Sequence, residues 1–188
     1  ALENPASPEV ESSPALSLFA RPGDGGIRTR KVAVLVAHGV EGASLGKVVS
    51  ALRAAGAVPR LIGARLGTYV GIGGEKFAAD ATMENSPGVL FDALVLPDGE
   101  GAVAALDADA HTLEFVRLQY WHCKTILAFG ASETLLAEAQ IPMTMSDGSP
   151  DPGLVLAAPD AADEAIADFI DAMGKHRHFG RENDPPKG

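Results

Sequence analysis

Three short apolar runs constrain this chain more than any other feature: Val32-Ala33-Val34-Leu35-Val36-Ala37, Ala93-Leu94-Val95-Leu96 and Thr125-Ile126-Leu127-Ala128-Phe129. Each is continuous rather than alternating, so each reads as a strand buried on both faces, the usual state of strands in a parallel sheet. Between them the period changes. Leu45, Val48, Val49, Leu52 and Ala55 recur at helical spacing, with Gly56 placed to end the helix. Val58 to Gly63 is a second short strand, so strand, helix and strand follow within the length of one βαβ unit. Thr112 to Tyr120 and about Ser132 to Ala139 are further helices. Gly153 to Ala157 is a last strand, and Asp160 opens a capped, acidic final helix through Ile166, Phe169, Ile170 and Met173. Tyr69 to Asp80, with Gly71, Gly73 and Gly74, reads as a hairpin or a glycine-rich excursion. Strands alternating with helices predict an α/β fold, a doubly wound, mostly parallel sheet with helices on both faces.

The whole chain has 188 residues, the size of one domain. Residues 1–30 read as a linker, because Pro5, Pro8, Pro14 and Pro22 alternate with Ser, Glu and Gly and resist helix and central strand alike. Within it, Ala15-Leu16-Ser17-Leu18-Phe19 is either a docking patch or a chance apolar cluster. The folded domain is expected over residues 31–178, with a polar, flexible tail over 179–188. The chain does not begin with Met, so a fragment or a processed protein is expected.

Charge narrows the partners. The net charge is −10 and the pI about 4.8. Affinity for nucleic acid comes from Lys and Arg displacing counterions at phosphates, and attraction to anionic lipid has the same origin. Neither partner is expected of so acidic a chain, nor is a membrane span, since no apolar run reaches the ~18 residues that one takes. The single cysteine, Cys123, rules out an intrachain disulfide and a thiolate metal cluster. It leaves the compartment, cytoplasmic or secreted, open.

In open α/β sheets, ligands sit outside the C-terminal ends of the strands. Three such ends are legible: His38-Gly39-Val40-Glu41, Pro97-Asp98-Gly99-Glu100-Gly101 and Phe129-Gly130-Ala131-Ser132. None carries a phosphate loop, and Gly71-Ile72-Gly73-Gly74 falls in the excursion rather than between strand and helix. A nucleophile elbow sets Ser or Cys on the sharp turn from strand to helix. Here Ala128 and Phe129 stand there, and Ser132 is placed to cap the next helix. Asp98 and Glu100 read as a solvated, helix-capping turn. His176 and His178 lie in a basic helix end, where cations suit the dipole. No third ligand accompanies them, so no metal site is expected. Cys123 precedes its strand at the opposite end from the elbow and reads as a structural thiol.

These strand ends resemble the ThiJ/PfpI family of the class I glutamine amidotransferase-like superfamily. That family carries an acidic residue after the first strand, a Pro-Gly-Gly-like turn after a middle strand, and a Cys-x-Gly-Pro elbow. The matching segments are Ala37 to Ser44, Leu96-Pro97-Asp98-Gly99 and Ala128-Phe129-Gly130-Ala131. By that register the nucleophile position is Ala128, and the acidic partner falls on Ser44 with Glu41 close by. The turn keeps Gly99 and replaces a glycine by Asp98. The resemblance therefore implies a degenerate pocket of Glu41, Ser44, Asp98, Gly99, Ala128, Phe129 and Gly130 without its reactive groups. Large-subunit catalases end in such a domain after a Pro/Ser-rich linker. Ser13 to Leu18, Thr29 to Val36 and Leu61 to Gly67 are similar to that linker and domain.

What this resemblance implies is a non-catalytic accessory domain with a stabilising and chaperone-like role. Its partners would be the catalase body of the same polypeptide and, for a holdase, unfolded clients. The parent would decompose hydrogen peroxide to water and oxygen as a haem homotetramer. The haem, with its tyrosine ligand and distal histidine and asparagine, belongs upstream, so no cofactor is expected in this chain. Two alternatives stand beside it. One is a small hydrolase or glyoxalase using Cys123, with His122 adjacent; the other is a nucleotide or flavin binder, for which no phosphate loop speaks.

Overall fold

The structure, a computed structural model, describes residues 23–183 continuously and residues 7, 9–10, 13–17 and 20–21 before them. Six strands form one sheet in the order β5-β2-β1-β6-β7-β8, every pair parallel. They are β1 (Lys31–Leu35), β2 (Val58–Gly63), β5 (Ala81–Thr82), β6 (Ala93–Leu96), β7 (Thr125–Phe129) and β8 (Leu154–Ala157). A separate antiparallel hairpin joins β3 (Thr68–Val70) to β4 (Lys76–Ala78). The expected glycine-rich excursion is thus a hairpin. Gly74 turns it with φ +87, a left-handed conformation that glycine adopts without steric cost.

The helices are α1 (Gly42–Ala54), α2 (Glu100–Asp107), α3 (Ala110–Trp121), α4 (Glu133–Glu138) and α5 (Ala162–Gly174). α1 and α5 pack together on one face of the sheet, and α2, α3 and α4 on the other. The doubly wound expectation holds, and the three apolar runs are the central strands. Val32, Val34, Leu94, Val95, Ile126 and Leu127 are completely buried, because helices cover both sheet faces. Phe115, Tyr120, Phe129 and Phe169 fill the two layers between sheet and helices. β5 pairs only with Ile62 and Gly63 of β2, and the stretch of β2 before them, unpaired on that side, carries Pro59, which offers no backbone N–H to an incoming strand.

Three details differ from the sequence reading. Helix α2 carries no caps that the sequence announces: its N-cap is Gly99, with no side-chain capping bond. Asp160 lies in a 3₁₀ turn, Pro159–Ala161, and α5 starts after it with no side-chain cap. Packing also extends past both expected boundaries. Ile27 is buried in the core before residue 31. After His178, Phe179–Asn183 forms a 3₁₀ turn that buries Arg181.

That last turn is held by a buried ion pair. Arg181 Nε donates to Asp151 Oδ2 at 2.7 Å and a terminal Arg181 nitrogen to Asp151 Oδ1 at 3.0 Å. The guanidinium also lies 4.4 Å over the Tyr120 ring and donates to the Lys124 carbonyl. Two carboxylate bonds, a carbonyl and an aromatic face replace the water that a buried cation gives up.

Candidate functional site

The strand order reverses between β1 and β6, which makes the carboxyl ends of these two strands the expected ligand crevice. Here the protein's own backbone closes it. The Glu41 amide donates to the Asp98 carbonyl at 2.9 Å. A Cβ placed on Gly99 would stand 2.3 Å from the Gly39 carbonyl oxygen, and Gly99 itself has φ +111. Only glycine at 99 lets the β1–α1 and β6–α2 turns approach so closely.

Asp98 ties all three expected strand ends together. Its backbone carbonyl holds the β1 end, and its Oδ1 accepts the Gly99 amide at 2.8 Å and the Ala131 amide at 3.0 Å. It is half-buried and bridges turns, so the solvated turn expected for Asp98 and Glu100 applies only to exposed Glu100. Glu100 opens α2, where a carboxylate suits the helix dipole.

The left-handed turn sits two residues after Ala128, where the sequence register places the nucleophile. Ala128 lies inside β7, fully buried and paired with Leu96 and Leu156. Phe129 is the last extended residue, φ −96 and ψ 130, with its ring in the core. The left-handed residue on the sharp turn is Gly130, φ +45. A Cβ there would meet the Asp98 carboxylate, 2.5 Å from Oδ1 and 2.6 Å from the carboxyl carbon. The space that a nucleophilic side chain would enter is therefore filled by Asp98. Sequence reading missed this because φ at 130 is decided by how the β7–α4 turn meets the β6–α2 turn. Gly130 in an elbow was the one available signal.

Ser132 stands at the N-cap of α4, as expected from sequence, but its hydroxyl makes no capping bond. It is fully buried, and its hydroxyl donates to the Pro97 carbonyl. Glu41 is the N-cap of α1. Its carboxylate accepts the Ala43 amide at 2.9 Å, the Ser44 amide at 2.7 Å and the Ser44 hydroxyl at 2.6 Å. Burial pushes the Glu41 carboxyl up, but these three bonds outweigh it, and its pKa lies below the usual carboxylate range. An ionised cap saturated with donors is poorly placed to move a proton. Glu41 and Ser44 face a hollow of about 370 Å³ with Lys47 and Asp160, on the α1/α5 side.

Next to this region, His38 is exposed and accepts the Val70 amide at Nδ1, 3.1 Å, while its ring tilts against Tyr69 at 5.1 Å. It ties the β3–β4 hairpin to the β1 end. Cys123 lies at the other end of the sheet, buried, with burial pushing its thiol pKa up. His122 follows α3 as its C-cap and is exposed. A thiolate needs a lowered pKa and access, and Cys123 has neither. His178 is not the helix-end cation expected. Burial, with Arg181 adding to it, brings its pKa down to about 4, and its Nε2 lies 3.0 Å from the Thr125 hydroxyl. Among the described residues no group of three His, Cys, Asp or Glu side chains could hold a metal ion. No described helix is long and apolar enough to cross a membrane.

The likeness to known proteins agrees with this scaffold. By structure, the chain is similar to a two-domain protein from Anabaena variabilis with DJ-1/ThiJ/PfpI-like and ferritin-like domains (TM-score 0.71, 20% identity, 78% of this chain and 48% of that one). It is similar also to a ThiJ/PfpI domain protein from Brachyspira murdochii (TM-score 0.68, 16% identity, 78% and 97%). At these identities the likeness speaks for the fold. By sequence it is 34% identical over 174 residues to catalase HPII of Pseudomonas putida, covering 93% of this chain and 23% of that protein. It is 33% identical to catalase C of Rhizobium meliloti, again covering 93% and 23%. The chain thus spans about a quarter of the length of these relatives. The family described as the C-terminal domain found in long catalases matches residues 28–183, and to that family this chain belongs.

Proposed function

We propose that this domain is a non-catalytic accessory part of a longer haem catalase polypeptide, with a stabilising and holdase-like role. The observation that carries the reading is the elbow: Gly130 offers no side chain, and the Asp98 carboxylate occupies the space where one would project. A nucleophile needs an activated side chain beside a base, and the chain's single cysteine, Cys123, is buried with a raised pKa. The decomposition of hydrogen peroxide to water and oxygen, the haem and a tetrameric assembly fall to the upstream part. This chain's own tyrosines do not suit an iron ligand. Tyr69 OH is engaged by the Arg65 backbone, and Tyr120 is buried beneath Arg181.

A holdase needs exposed apolar surface and a means of staying soluble. The β3–β4 hairpin exposes Leu66, Val70 and Ile72, and a net charge of −10 keeps complexes apart. On α2, Ala102 and Val103 are buried, while Ala104 and Ala105 are exposed. Of the Ala15–Phe19 patch, Leu16 is exposed, while Leu18 and Phe19 lie outside the described residues. The test has two parts. Light scattering from a heat-unfolding reporter enzyme is expected to fall in the presence of stoichiometric domain, equally for Cys123→Ser. Heat inactivation of the full-length catalase is expected to accelerate when the domain is deleted. A protein that passes neither test refutes the reading, and suppression lost with Cys123→Ser revives the thiol enzyme.

A further inference from the structure

The end of the domain opposite the elbow carries charge and apolar surface that the fold does not use. Five of the six parallel strands, β1, β2, β6, β7 and β8, start there, together with the ends of α1, α3 and α5. Residues 24–31, 53–58, 88–92, 121–124, 151–153 and 174–182 make up this base. They hold eight of the chain's 15 Lys and Arg side chains against four carboxylates, Asp24, Asp92, Asp151 and Glu182. The base is thus +4 while the remainder is −14. Lys124 and Arg181 are buried. Arg28, Arg30, Lys31, Arg53, Lys175 and Arg177 are exposed or half-buried.

Apolar surface lies at the same end. Trp121, Leu90, Val89 and Val58 are 52%, 55%, 48% and 43% exposed. The 3₁₀ turn Gly88–Leu90 is tied to the end of α3, because Lys124 Nζ donates to the Gly88 and Val89 carbonyls at 3.2 Å each. A cleft of about 200 Å³ runs beside it, lined by Lys31, Val58, Arg60, Leu90 and Phe91 among others. Exposed tryptophan and arginine at the same end of a fold belong to the residue types enriched in binding hot spots. The upstream chain also arrives here. Gly25 packs its carbonyl against Gly174, Thr29 donates to the Gly56 carbonyl at 2.8 Å, and β1 begins at Lys31.

We propose that this base, with Trp121, Leu90, Val89 and Val58 and the cations of the same end, docks on an acidic surface of the upstream part of the same polypeptide. This rests on the domain's being the end of a longer chain, as in the relatives of which it spans about a quarter. Because the chain enters at the base, any upstream body is tethered closest to this face, and tethering raises its effective concentration there.

The experiment is zero-length carbodiimide cross-linking of the full-length protein, read by mass spectrometry. Lys31 and Lys175 are expected to link to Asp and Glu of the upstream part, while Lys47 and Lys76, away from the base, do not. The charge reversal Arg28→Glu/Lys175→Glu is expected to weaken the links from Lys31, which the variant keeps, and to speed subtilisin cleavage within residues 1–22 about tenfold. Both sites are exposed, so the variant is expected to fold. Links from Lys31 and Lys175 to Glu100 or Asp160 of another copy would assign the base to self-association and overturn the proposal. So would links to the upstream part made by Lys47 and Lys76 alone, or no intermolecular or upstream links at all. Each of these outcomes leaves the stabilising role standing if deletion still hastens heat inactivation. Upstream links in a protein indifferent to deletion would sink that role and keep the docking face.

Discussion

Gly130→Ala tests the emptied elbow directly. The substitution meets two costs that the structure separates. A non-glycine residue at φ +45 takes a left-handed conformation at roughly 1–2 kcal/mol. Its Cβ also displaces the Asp98 carboxylate, 2.5 Å away, which accepts the Gly99 and Ala131 amides. Hydrogen bonds to a charged group contribute roughly 1.5–3 kcal/mol each, and here part is recovered from solvent, because Asp98 is only half-buried. The sum is about 3 kcal/mol, a large share of the ~5–15 kcal/mol that holds a domain folded. Asp98→Gly removes the obstacle. In the pair Gly130→Ala/Asp98→Gly the collision is gone, so the double variant should lose about 1.5 kcal/mol less than the two singles added together. Equilibrium urea unfolding of the four proteins at pH 7 measures this. A loss under ~1 kcal/mol for Gly130→Ala, or singles that add within ~0.5 kcal/mol, would mean that Asp98 does not fill the elbow.

Three further outcomes follow from the base and the core. Asp151→Asn strands the buried Arg181 guanidinium and should cost about 3–5 kcal/mol by urea unfolding; a cost under ~1 kcal/mol would show that the clasp is solvated. His178 titrates at about 4 when folded and near 6.5 otherwise, so the unfolded chain binds the extra proton between these values. Stability is therefore full above pH 6.5 and falls towards pH 4, by on the order of 3 kcal/mol from this residue; His178→Gln should flatten the profile, and an unchanged slope would refute it. Cys123, buried with a raised pKa, should react with a thiol reagent at pH 8 only as fast as the domain opens. Labelling at the rate of a free thiol would contradict its burial.

Much of the fold was legible in the residues. Val32–Ala37, Ala93–Leu96 and Thr125–Phe129 announced buried parallel strands because a strand covered on both faces has no polar side to display. Gly56 and Gly74 marked a helix end and a hairpin turn because they stand at positive φ. Helix α2 was legible only as the helix that the Asp98–Glu100 turn was expected to cap; its N-cap, Gly99, makes no side-chain bond. The absence of a nucleophile was legible too, as composition at a turn. What only the tertiary structure decided are the contacts between segments far apart in sequence. Asp98 fills the Gly130 elbow across 32 positions, and Arg181 finds Asp151 across 30. Glu41 reads as a reactive acid until α1 begins beside it and makes it a cap. Local patterning sets which residues become strand or helix, because backbone sterics and side-chain periodicity act over a few residues. Where a carboxylate points, and whether a thiol or histidine keeps its proton, depends on burial and partners that exist only once the layers have packed.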